Sequence, residues 1–151
     1  MSKKKKVGII CPDYLNSPSV IRIINMLKDL NCRIIYVGWQ RKSEFGHQFK
    51  NELRCDLDID IRYILKGGGY SNKRLIIKYV FWELALFNHL LLNNYDLIWA
   101  FNFVSAFPLC LINKLKKQKY IYDVRDNFLL TYKMPPILKL IIRIFEKSIL
   151  K

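Results

Sequence analysis

Val7–Cys11, Arg33–Gly38 and Leu97–Ala100 are short, mostly apolar runs without the alternation of a half-solvated strand. Runs of that length and character read as strands buried on both faces, which happens when helices cover both sides of a parallel sheet. The intervals between them supply the helices. Ser17-Pro18 offers an N-cap followed by proline at the first helical position, and Val20, Ile23, Ile24, Leu27 and Leu30 follow at helical spacing. Ile59, Ile61 and Tyr63 alternate with polar partners, suggesting a third strand nearer a sheet edge. Gln40–Asp56 is polar and irregular, without a clear period.

Past the Gly67-Gly68-Gly69 triplet, the pattern predicts a long helix from about Lys73 to Leu92. The fourth strand, Leu97–Ala100, is entered through Asn94-Tyr95-Asp96. A helix over Phe103–Leu115 follows, with Pro108 kinking it or lying in its first turns. Lys119–Asp123 is a fifth strand, and Pro135-Pro136 opens an amphipathic helix over Ile137–Leu150. Strands alternating with helices predict one α/β domain: a doubly wound, mostly parallel sheet with helices on both faces and right-handed crossovers. No internal repeat or domain boundary interrupts residues 1–151.

In such a sheet, ligands bind outside the carboxyl ends of the strands, where the strand order reverses. The loops after strands one, four and five carry Asp13, Asn16 and Ser17, then Asn102, then Arg125, Asp126 and Asn127. Taken singly these read as ordinary caps, Ser17 as an N-cap and Asn102 as a helix start. As a set converging on one edge they point to a site. The first loop has neither G-x-G-x-x-G nor a Walker A lysine, so dinucleotide and P-loop chemistry have no support. The helix start at Ser17–Ser19 could still receive an anion. The glycine triplet follows a strand and precedes a helix as phosphate loops do, but without further spacing it reads as a connector.

Charge narrows the partners without choosing among them. Lys and Arg outnumber Asp and Glu by 26 to 12, a net charge of +14, which suits nucleic acid, a phosphorylated substrate or an acidic membrane. Abundant Lys, Ile and Asn also fit an AT-rich coding bias. Cys11, Cys32, Cys55 and Cys110 have no C-x-x-C spacing and read as buried thiols rather than metal ligands. Nothing at the N-terminus resembles a signal peptide, and the longest uncharged run, Leu97–Asn113, is short and polar for a membrane span. The expected location is cytoplasmic, with a peripheral place at the inner membrane face. On the last helix Lys139, Arg143 and Lys147 form a row opposite Leu138, Ile141, Ile142, Phe145 and Ile149. Such a helix either lies on anionic lipid or packs on the sheet with its cations solvated.

Several segments resemble one family. Ser17-Pro18-Ser19-Val20-Ile21-Arg22, followed by Leu27, Leu30 and the strand Arg33–Val37, is similar to the start of family-4 glycosyltransferases, one branch of which reads D-P-R-V there. Tyr95-Asp96-Leu97-Ile98-Trp99-Ala100 resembles their fourth strand, usually D-V-V-H-A-H-D. Ile121–Phe128 resembles their Y-D-x-H-[DE]-x-F motif, and Glu146-Lys147 their later helical glutamate. The resemblance spans nearly the whole chain and implies the N-terminal, acceptor-side half of a GT-B enzyme. It implies no metal and no cofactor, the nucleotide-sugar donor being a substrate held mainly by a C-terminal domain. It also implies a surface-polysaccharide or lipid-linked acceptor.

The departures fall where the family has its polar groups. The histidine after strand four is replaced by Phe101, the acid after it by Asn102, and the histidine of the D-x-H motif by Arg125. Phenylalanine cannot share a proton, and arginine orients an anion but is no base. Asp123 and Asp126 survive. The implied substrate-binding set is Asp13, Ser17, Asn102, Arg125 and Asp126, with Asp126 the best candidate for a catalytic group. Because residue 151 falls before the family's next strand, the expectation is an incomplete N-terminal domain, inactive alone. Its expected partner is the missing donor domain or a separate subunit. The alternative is a non-catalytic module that recruits a partner transferase or an anionic membrane. Nucleic acid is not favoured, since no recognised motif is present.

Overall fold

A computed structural model describes residues 4–12, 15, 17–41, 59–67, 75–124 and 136–149. Among them five strands run β1 (Lys5–Cys11), β2 (Cys32–Gln40), β3 (Ile59–Lys66), β4 (Leu97–Phe101) and β5 (Tyr120–Asp123). Four helices accompany them: α1 (Pro18–Lys28), α2 (Leu75–Leu92), α3 (Phe103–Lys116) and α4 (Pro136–Ile149). Every strand pair is parallel and the order is β3-β2-β1-β4-β5. This is the doubly wound, Rossmann-like arrangement that the apolar runs predict, and β3 is an edge strand as its alternation requires.

The two-residue period of the strands sorts side chains into two cores. Val7, Ile9 and Cys11 of β1, with Ile34 and Tyr36 of β2, meet Val20, Ile23, Ile24 and Leu27 of α1. Ile10, Ile35 and Val37 face the other way, against Trp82, Leu86 and Leu90 of α2, Leu109 and Ile112 of α3, and Ile142 of α4. Helices therefore cover both faces.

Element ends differ from the sequence expectation by a few residues, for identifiable reasons. β1 starts at Lys5 rather than Val7, because Lys5 and Lys6 pair with Cys32 and Arg33. The Lys6 amide donates to Asp96 Oδ2 at 2.6 Å, and its ammonium sits 4.6 Å from the Tyr95 ring centroid. That ring crosses β1 so closely that a Cβ on Gly8 would lie 2.9 Å from Tyr95 Cδ1. β2 runs past Gly38 to Gln40, with a register shift against β3 between Gly38 and Trp39.

Pro108 sits inside α3 without ending it. A proline there has no N–H to give the carbonyl four residues back, that of Val104. Trp82 of α2 supplies the missing donor: its indole Nε1 donates to Val104 O at 3.1 Å, and the ring is fully buried. Replacing this indole with phenyl, Trp82→Phe, leaves a buried carbonyl unpaired, and a loss of about 1–3 kcal/mol is expected in urea unfolding.

Glu83 interrupts the apolar character of α2. Its Oε2 is buried without a hydrogen-bond partner among the described residues, and burial pushes its pKa up from 4.5 to about 9. The folded chain thus keeps a proton that the unfolded chain releases near 4.5. This contribution to stability is full below that value and is lost as pH rises toward about 9. Glu83→Gln should flatten this decline and raise stability by about 1–2 kcal/mol at its alkaline end, read from melting temperature against pH.

Candidate functional site

The order of strands reverses between β1 and β4: α1 carries the chain from β1 to β2 on one face, and α3 carries it from β4 to β5 on the other. Both helices begin at the carboxyl edge of the sheet, so two helix N-termini lie at that edge beyond Cys11 and Phe101. Such ends carry partial positive charge and incompletely paired N–H groups.

Ser17 caps α1 as the sequence suggests, its hydroxyl accepting from the Val20 amide at 3.4 Å. Asn102 stands at the N-cap position of α3, and its backbone is unusual: φ is 60° and ψ 168°, a combination nearly confined to glycine. The strain is held by backbone bonds on both sides. Asn102 N donates to Asp123 O at 3.0 Å, and its carbonyl accepts from the amides of Ser105 and Ala106, each at 3.2 Å. Its side chain makes no capping hydrogen bond to the helix. One turn into α3, the Ser105 hydroxyl is fully buried without a partner among the described residues.

Phe101, at the position where the family carries histidine, is fully buried in the core on the α1 face. Asp123 is committed to structure, its Oδ2 accepting from the Trp99 indole at 3.2 Å. Ser17 and Asn102 thus come to the same edge from opposite sides of the switch. Asp13, Arg125 and Asp126 lie outside the described residues.

Arg41 is the residue the sequence reading passed over. It follows β2 at the same edge and is buried to 6% exposure. Its Nε donates to Pro12 O at 3.1 Å, and its Nη2 to the Tyr79 hydroxyl at 2.8 Å. The guanidinium also lies over the Trp39 ring, 4.4 Å from the centroid. Arg41 therefore pins the end of β1 to β2 and α2. Applying the carboxyl-edge rule to strand two, as to strands one, four and five, would have singled it out.

A depression of about 890 Å³ opens at the opposite, amino edge, bordered by Lys5, Asp96, Lys116, Lys117 and Lys119. Helices end at this edge, and their C-termini attract cations. Lys116 shows the effect: its ammonium donates to the carbonyls of Leu90 and Leu91 and to Asn94 Oδ1. Nearby, the hydrogen bond from Arg62 holds the Asp60 carboxyl below its usual range, while burial, then Arg62 and Lys6, push the His89 imidazole down. Lys116 is thus accounted for by helix and loop carbonyls, and Arg33 and Arg62 by their ion pairs with Asp60; the candidate site is taken at the carboxyl edge, where the strand order reverses. No group of three His, Cys, Asp or Glu among the described residues is placed to hold a metal ion. Cys11 and Cys110 are buried thiols, and Cys32 is half-buried.

No family model matches the chain, and no curated protein matches it. Solved structures do resemble it. MurG of Acinetobacter baumannii superposes with a TM-score of 0.53 at 12% identity, over 82% of this chain and 36% of MurG. The C-terminal domain of a Pyrococcus furiosus hydrogenase gives 0.52 at 12% identity, over 80% of this chain and 91% of that domain. Pantoate-β-alanine ligase from Francisella tularensis, solved with β-γ ATP and β-alanine, gives 0.52 at 12% identity, over 97% of this chain and 72% of the ligase. At such identity these likenesses establish the Rossmann-like fold alone. The chain spans 36% of the length of MurG.

Strain at Asn102 is directly testable. Asn102→Gly should stabilise the domain by about 1–2 kcal/mol in urea unfolding, since glycine adopts this conformation freely. An unchanged or lowered midpoint would show that the backbone there is relaxed.

Proposed function

We propose that this domain is the acceptor-side half of a family-4-like glycosyltransferase, taking its place opposite a donor-binding domain. The observation that carries the proposal is the strained Asn102 at the switch point. Backbone strain retained at such a point suits a binding crevice better than a mere chain connection. Two further features support it: the segments Tyr95–Ala100 and Ile121–Phe128, similar to the family's fourth-strand and Y-D-x-H motifs, and the fold shared with MurG, a GT-B glycosyltransferase.

In this reading the N-termini of α1 and α3 face the acceptor, and Arg125 orients its anionic group. Asp126 accepts hydrogen bonds from sugar hydroxyls, and Ser17, Asn102 and Asp13 line the rim. Phe101 removes the side chain that could share a proton, so proton transfer, where needed, falls to Asp126 or to the donor-side partner. The acceptor is a surface-polysaccharide or lipid-linked glycan, and the donor a nucleotide sugar held by the other domain. Transfer is proposed for the two halves together, not for these residues alone.

A second reading, a module that recruits an anionic membrane or a partner transferase, draws on α4. Ile142 is buried and Phe145 packs edge-on to Phe107 at 4.6 Å between centroids, which uses the inner stripe. Arg143 and Lys147 are left exposed beside Leu140 and Ile144. No described helix is long and apolar enough to cross a membrane.

Saturation-transfer NMR on the chain tests the acceptor-side reading, with a sugar diphosphate bearing a short isoprenoid tail and, separately, nucleotide sugars as probes. The sugar diphosphate should bind, nucleotide sugars should not, and Asp126→Ala should weaken the complex by about tenfold or more. Binding of neither probe, or of nucleotide sugars alone, would contradict the acceptor-side assignment.

A further inference from the structure

α2 is apolar on both sides. Trp82, Leu86 and Leu90 enter the core, while the opposite side leaves Ile77, Val80, Phe81 and Leu84 more than half exposed and Leu91 at 37%. A helix apolar around its circumference belongs inside a larger assembly. We propose that this outer face is a self-association surface, on which α2 of a second copy of the chain lies antiparallel about a two-fold axis at Leu84.

Three observations favour a second copy as the occupant. Ile77, Leu84 and Leu91 recur at seven-residue intervals, the spacing of a seam between packed helices. That spacing is symmetric about Leu84: in an antiparallel pair Leu84 meets its own counterpart, while Ile77 meets the partner's Leu91 and the reverse contact repeats. Self-complementarity of this kind is what a two-fold interface demands.

The second observation is charge. The face carries Asn88 as its polar member, Lys78 reaches toward Gly67, and the Oε2 of Glu83 is buried. A helix that lies in a lipid interface is instead rich in Lys and Arg, as α4 is with Lys139, Arg143 and Lys147. The third is area. Five half-exposed large side chains present roughly 500 Å² of apolar surface per copy, beyond what scattered exposure explains. Two copies would bury on the order of 1,000 Å², about the threshold of a specific interface.

Sedimentation velocity of the full chain, over a range of protein and salt concentrations, tests the proposal. A dimer should appear whose population grows with protein concentration and also with salt, because screening relieves repulsion between two copies of charge +14. Leu84→Lys sets two ammonium groups face to face and should weaken association by about tenfold or more while leaving circular dichroism unchanged. As a test that does not depend on weakening, Leu84→Cys should oxidise to an 84–84 cross-link identifiable by mass spectrometry. Leu115→Cys, exposed on α3, should not cross-link. A monomer under all conditions, an unaltered dimer in Leu84→Lys, or equal cross-linking at both positions would overturn the proposal. Binding of the monomer to anionic vesicles that is lost in Leu84→Lys would also overturn it, assigning the face to lipid.

Discussion

The hydrogen bond from Trp82 to the Val104 carbonyl ties α2 to α3, one of the two helices that start at the switch point. It satisfies the acceptor that Pro108 strands inside α3, so the helix keeps its course through a proline. The same indole stacks on Trp39, 6.3 Å between centroids and 17° between planes. Trp39 in turn donates to Gly67 O at 2.8 Å and carries Arg41 on its ring, and Arg41 holds Pro12 O. A continuous line of contacts therefore runs from the start of α3, through α2 and β2, to the end of β1. The two sides of the switch point are held in one frame, in which strain at Asn102 can persist.

Much of the fold is legible in the sequence because burial on both faces writes itself as unbroken apolar runs. Val7–Cys11 and Arg33–Gly38 could scarcely be solvated strands, and Ser17-Pro18 marks a helix start with a specific mechanism. Strand and helix ends slip by one or two residues because the neighbouring strand, not local propensity, decides where pairing stops. Lys5 and Lys6 belong to β1 since β2 and Asp96 offer partners.

The site is less legible, for a related reason. Ser17 and Asn102 sit at loop positions that strand order alone brings together. Arg41 opens a polar, aperiodic stretch, and nothing local reveals that it is buried; that follows from Trp39, Tyr79 and Pro12 arriving from separate elements. The backbone angles of Asn102 are equally invisible in composition, since asparagine at a helix start is ordinary. Asp123 shows the reverse case: a motif residue whose carboxylate is taken by Trp99. The edges also differ in a way that net charge hides, because Lys116 at the amino edge answers the carbonyls that end α2, whereas the carboxyl edge gathers helix N-termini. A fold shared with MurG, a hydrogenase domain and a ligase does not choose among chemistries.

That the crevice between β1 and β4 is where this domain meets its ligand is tested most directly by backbone amide chemical-shift mapping during titration with an isoprenoid-tailed sugar diphosphate. Shifts are expected to concentrate at Ser17–Val20, Arg41 and Asn102–Ala106, with Lys116–Lys119 unmoved. Shifts confined to Lys116–Lys119 and Lys5 would place binding at the amino edge and contradict it.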